Sequence, residues 1–158
     1  MSHTFTTTDE SYMRIALEEA RRAAEDGDVP VGAILVQNAT GEIISRGRNT
    51  REVMKTALGH AEINVIGEAC VSLGSWRLED CTLYVTLEPC PMCAGAILHA
   101  RIPRIVCGSM DPVAGAMGSV WAIHRHPVEN KHVGFETGCL EEECRAILQD
   151  FFKNRRKG

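Results

Sequence analysis

The chain has 158 residues, 44% of them apolar and 24% charged, with a formal net charge of −4. At about 100–200 residues per domain this reads as one domain, residues 1–158, with a sizeable core. The ordinary composition excludes a disordered, collagen-like or membrane-spanning chain. A protein that relies on unspecific phosphate attraction is usually basic, so any nucleic-acid contact here has to be a local patch.

The first segment, residues 1–6, has neither an apolar core nor a basic start, which reads as no secretory leader. Asp9 or Thr8 can then cap a first helix, in which Met13, Ala16, Leu17, Ala20 and Ala24 recur at helical spacing until Gly27. Residues 31–36 and 42–46 read as the two strands of a hairpin turned at 38–41, and residues 50–58 as a loop. A second helix is expected over 60–73, with Gly74 just past its end. Residues 81–87 form a strand without alternation, which suits burial on both faces. A third, almost wholly apolar helix follows over 92–100, then a central strand over 104–108. A short helix is expected near 120–123, a fifth strand over 133–137 and an amphipathic last helix over 140–156. A hairpin followed by strand–helix alternation implies an α/β fold: a five-stranded mixed sheet with helices on both faces, a three-layer α/β/α sandwich. Such sheets bind ligands at the carboxyl ends of their strands.

Seven cysteines, an odd number, favour a reducing cytoplasm with thiols buried or on a metal. Cys70, Cys81 and Cys107 lie in apolar segments and read as core; Cys139 and Cys144 read as structural. Cys90 and Cys93 stand apart in Pro89-Cys90-Pro91-Met92-Cys93, at the start of a helix, where both sulfurs can face one ion. The helix N-terminus favours their thiolates. His60 opens the other helix and supplies an imidazole. Three protein ligands with a fourth position for water make an open, catalytic type of zinc site. Zinc brings the pKa of a bound water from ~15.7 to roughly 7. Glu62, two residues beyond His60, is then placed to act as general acid–base.

An isolated C-x-x-C also suits a redox pair or half of a structural zinc site, and an isolated H-x-E is an ordinary surface pattern. Together, in this order, His60-Ala61-Glu62 and Pro89-Cys90-Pro91-Met92-Cys93 match the H-x-E…P-C-x-x-C signature of zinc nucleobase deaminases. A zinc-stabilised binding module without turnover is the reading from another class.

From about Tyr12 to Arg156 the chain resembles the cytidine/deoxycytidylate deaminase superfamily, most of all its bacterial tRNA adenosine deaminases. The specific stretches are residues 28–33, His60-Ala61-Glu62-Ile63, residues 86–97, Gly115-Ala116-Met117-Gly118-Ser119 and Asp150-Phe151-Phe152. The resemblance implies a cytoplasmic homodimer holding one Zn²⁺ per chain and converting the wobble adenosine of a tRNA anticodon to inosine. Asn49 matches the position that hydrogen-bonds the flipped base. Guanine and cytosine deaminases use the same His-Cys-Cys set, so a free nucleobase or nucleoside is the alternative substrate.

Two further features bear on RNA. The tail mixes aromatics and cations, and Phe151, Phe152, Lys153, Arg155 and Arg156 are candidate RNA contacts. Met110 and Val113, by contrast, stand where the tRNA enzymes commonly carry basic residues, and Thr56-Ala57-Leu58-Gly59 replaces the family's frequent Asp-Pro-Thr-Ala. Trp121, at helical spacing from Met117, reads as packing. The histidines of His124-Arg125-His126-Pro127 read as facing solvent or RNA rather than a metal.

Overall fold

The computed structural model describes residues 5–126 and 133–157, with side chains through Arg155. Its elements are α1 (Thr7–Glu25), β1 (Gly32–Gln37), β2 (Ile43–Arg48), α2 (Ala61–Leu73), β3 (Cys81–Leu87), α3 (Pro91–His99), β4 (Arg104–Ser109), β5 (Gly134–Thr137) and α4 (Glu141–Lys157). The five strands form one sheet in the order β2-β1-β3-β4-β5. β1 is antiparallel to both β2 and β3, whereas β3, β4 and β5 run parallel, which makes the sheet mixed as expected.

Alternation along the strands divides the core in two. Ala33 and Leu35, with Leu83, Val85, Ile105 and Cys107, pack against Val65, Ala69 and Ile97 of α2 and α3. Ile34 and Val36, with Tyr84 and Val106, point the other way, onto Met13 and Leu17 of α1 and Cys144 and Ile147 of α4. Helices thus cover both faces. Cys81, Cys107, Cys139 and Cys144 are buried and Cys70 is half-buried, in line with packing roles.

The first helix begins two to three residues earlier than its sequence suggests. Its N-cap is Thr6, and Asp9 sits three residues on, closing a reciprocal capping box instead of serving as the cap. Asp9 also reaches into the sheet: the Tyr84 hydroxyl donates to it at 2.7 Å and the Arg104 guanidinium at 3.2 Å. Burial opposes its ionisation, but these hydrogen bonds prevail and hold the carboxyl below its ordinary value.

A larger difference lies after β4. The helix expected near 120–123 is instead a bridge between Met117 and Ala122 and a single 3₁₀ turn, Ile123–Arg125. Gly118, at φ +139°, leaves the helical region, and Val120 and Trp121 bond back five and six residues to the Gly115 carbonyl, so the i→i−4 bonds of an α-helical nucleus do not form. Trp121 is therefore 49% exposed rather than packed in the core. His124 is buried edge-on against Phe135, not facing outward, while His126 is exposed and Pro127 lies outside the described residues. No helix among the described residues is long and apolar enough to cross a membrane.

Candidate active site

The site forms where α2 and α3 begin, beside the carboxyl end of β3. His60 is the N-cap of α2, in extended backbone conformation, with no capping bond of its own. The cap comes from outside: Asn49, just past β2, accepts the Ala61 N–H at 2.9 Å through its side-chain oxygen. Cys90 is the N-cap of α3, and Pro91 follows at the first helical position, where its fixed φ suits the helix and its missing N–H costs nothing. Cys93 lies one turn in and is fully buried.

These two helix starts bring the three expected donors together. The His60 Nδ1 lies 3.5 Å from the sulfurs of both Cys90 and Cys93. All three donor atoms lie within 4.8 Å of one another, the single such His/Cys/Asp/Glu group of metal-binding size among the described residues. One imidazole nitrogen and two sulfurs suit zinc. The Cys93 thiol and His60 hydrogen-bond the Cys90 sulfur and bring its pKa down to about 4, while Cys93 moves the opposite way.

Glu62 sits on the first turn of α2 and is 4% exposed. Burial pushes its carboxyl up to about 7. A carboxyl poised there both takes and gives a proton near neutrality.

His60, Glu62, Cys90 and Asn49 line one cavity of about 170 Å³. That is below the ~300 Å³ at which pockets for drug-sized ligands begin, so it admits one ring system and leaves the rest of a larger substrate outside. Hollows of about 410–450 Å³ elsewhere lack such a donor cluster.

Sequence reasoning placed residues 56–59 and 110–113 at the rim of this cavity but missed the residues that line it there. Arg51, from the loop after β2, and Asp111 and Ala114, from the segment after β4, stand at its edge. Each rim segment is tied down by a buried carboxylate. Asp28 accepts the Glu52 N–H at 2.8 Å and the Val53 N–H at 3.2 Å. Glu88 accepts the N–H groups of Asp111, Met117 and Ser119 at 2.9, 2.9 and 3.1 Å and the Ser119 hydroxyl at 2.5 Å. The available signal was a carboxylate bordering or inside an apolar stretch, Asp28 before Val29-Pro30 and Glu88 before Pro89-Cys90. Gly59 has a packing reason as well: a β-carbon there would come within 2.7 Å of the Arg51 backbone nitrogen.

The candidate tail contacts divide. Phe152 and Lys153 line a groove of about 450 Å³ with Arg145, Gln149, Ser109 and Met110. Phe151 and Arg155 instead meet each other, guanidinium over ring at 5.3 Å. The Arg156 side chain lies outside the described residues. Met110 thus lies in the groove, and Val113 is 83% exposed on the turn beside it.

Residues 6–109 match the model of the cytidine and deoxycytidylate deaminase zinc-binding region. The chain belongs to this family of deaminases, and zinc is the metal its donor set serves. Within the family it is 49% identical over 151 residues to the tRNA-specific adenosine deaminase of Bacillus subtilis (strain 168), covering 96% of this chain and 92% of that one. A solved structure from studies of A-to-I editing by tRNA:A34 deaminases is 43% identical, with a TM-score of 0.83 over 87% of this chain and 99% of that one. A guanine deaminase from Nitrosomonas europaea, 23% identical with a TM-score of 0.77 over 96% of this chain and 85% of that one, shares the fold.

Proposed function

We propose that the chain, read as one domain, is a cytoplasmic homodimeric enzyme that hydrolyses adenosine to inosine at the wobble position of a tRNA anticodon. The observation that carries RNA over a free base is the groove of Phe152, Lys153 and Arg145, which meets the cavity rim where Met110 adjoins Asp111. It offers an aromatic face and the cations Lys153 and Arg145, the latter paired with Glu141, next to a cavity that takes a single base. The named tRNA-acting relatives support the same substrate. The exposed apolar side chains of Val120 and Trp121 support a subunit contact.

The residues fit the metal: His60 Nδ1 and the sulfurs of Cys90 and Cys93 would hold it, leaving one position open. Bound zinc supplies a water that is acidic enough to be deprotonated at neutral pH. Glu62 accepts a proton and hands it to the N1 ring nitrogen of the base; it then assists the amine, which leaves as ammonia while water provides the new oxygen. The Asn49 oxygen is engaged by Ala61, so its amide NH₂ is the group that donates to the base. A base in an anticodon loop leaves its stack at little cost.

The test is product analysis of the zinc-loaded protein with an anticodon stem-loop bearing wobble adenosine and, in parallel, with free adenosine, guanine and cytosine. Inosine in the RNA alone is expected. Turnover of a free base with inert RNA would overturn the tRNA substrate, and size-exclusion chromatography with light scattering checks the dimer.

A further inference from the structure

We infer that Glu88 is a positioning residue: it holds Asp111 at the mouth of the cavity and thereby governs substrate affinity rather than the chemical step. Glu88 is 2% exposed and has no cation beside it among its hydrogen-bond partners; all four are donors from the segment after β4. The fit is closed from the other side by Gly115, where a β-carbon would lie 2.2 Å from the Glu88 Oε1. Ala116 adds a bond from its N–H to the Pro89 carbonyl at 2.8 Å, next to Cys90. Asp111 passes the order on, since its own carboxylate accepts the N–H groups of Val113 and Ala114 at 3.0 and 3.2 Å. The rim turn is therefore built outward from one carboxylate.

The two oxygens of Glu88 are not equivalent. Oε2 faces two backbone N–H groups, of Met117 and Ser119; Oε1 faces one, of Asp111, together with the Ser119 hydroxyl. In Glu88→Gln the amide NH₂ is itself a donor. At Oε2 it would oppose two N–H groups that cannot turn away. At Oε1 it opposes only one, and the hydroxyl can rotate to accept. Glutamine therefore keeps its oxygen on Met117 and Ser119 and releases Asp111, the residue at the cavity mouth.

The kinetic arm rests on the deamination proposed above; the structural arm does not. In the zinc-loaded protein, amide hydrogen exchange followed by NMR is expected to show Asp111, Met117 and Ser119 protected in the wild type. In Glu88→Gln the Asp111 amide exchanges at least about tenfold faster, while Met117 and Ser119 stay protected. On the stem-loop, KM rises about tenfold with kcat and zinc content unchanged, whereas Ser119→Ala, which leaves all three N–H groups paired, shifts KM less than about twofold. If the RNA proves inert, KM is read on whichever free base turns over, so loss of the tRNA reading leaves this comparison intact. Wild-type amides at 111, 117 and 119 exchanging like an open loop would overturn the positioning role, even if the glutamine variant fails to fold. So would uniform release across the segment, a fall in kcat at constant KM, or a released Asp111 with unchanged KM.

Discussion

The floor of the cavity and its rim are built on opposite plans. The floor stands on regular structure: His60, Glu62, Cys90 and Cys93 all sit at the first residues of two helices packed on the sheet. The rim is irregular backbone, and it is held by side chains that come from elsewhere, Asp28 for the loop after β2 and Glu88 for the segment after β4. Chemistry that needs fixed donors is thus placed on helix starts, while the surface that meets the rest of the substrate hangs on buried carboxylates. A family can vary such a rim without touching the floor. Met110, Val113 and Gly59, the departures visible in this sequence, all fall on the rim or beside it.

The sharpest break between the two regions is Glu62→Gln. It removes the proton-transfer group and keeps the shape. Activity is expected to fall by about 10²–10⁴ in kcat, with zinc content, measured by elemental analysis, and KM little changed. Cys93→Ala should instead lose zinc and activity together. If Glu62→Gln retained near-wild-type turnover, the floor would have another proton carrier.

Next in size is the first rim. Asp28→Ala leaves the Glu52 and Val53 N–H groups without their partner. Glu52 and Val53 are exposed, so water replaces part of the lost hydrogen bonding; at a net loss of about 1 kcal/mol substrate binding weakens several-fold, with KM carrying the change and kcat holding. Gly59→Ala should move KM in the same direction, because its β-carbon displaces the Arg51 backbone. A fall in kcat in both variants, with constant KM, would erase the distinction between floor and rim.

That distinction also marks what was legible in the sequence. The β3 limits could be read from a run without polar–apolar alternation, and the metal trio because His60 and the Cys90–Cys93 pair each stand in a short motif at a helix start, although 30 residues separate His60 from Cys90. What anchors the rim was not legible. The Glu88 contacts span 23–31 residues of sequence and the Asp28 contacts 24–25, and nothing in local periodicity announces such pairs. The same long-range ties replaced the helix expected near 120–123, because a segment pinned at Asp111, Met117 and Ser119 follows its anchors rather than its propensity. Asn49 was expected to hold the base and lies in the cavity lining, but its bond to Ala61, which decides which end of the amide is free, was not legible.

A substitution far from both regions separates lost stability from lost function. Asp9 lies in the α1 capping box and is bonded to Tyr84 and Arg104. Its carboxyl is held below the ordinary 3.8, so its contribution is complete above that value and disappears as pH falls through the lowered one. Asp9→Asn should therefore lower Tm at pH 7, with the deficit shrinking below about pH 4, and leave kcat and KM at 25 °C within about twofold. A KM change as large as that of Asp28→Ala would mean that loss of stability alone loosens the rim.

The smallest effect belongs to the groove beyond the rim. Lys153 is exposed and lines it with Phe152 and Arg145. A single solvated cation on a single-stranded RNA backbone contributes chiefly through counterion release. Lys153→Ala should weaken stem-loop binding only a few-fold at moderate salt, and it should reduce the slope of log affinity against log salt by about 0.7. Phe152→Ala should weaken binding without changing that slope, since stacking releases no counterions. Met110→Lys tests the groove from its other wall: a gain in affinity together with a steeper slope would show that RNA passes there. An unchanged slope in both lysine variants would place the RNA elsewhere on the surface, with the floor still competent on its single base.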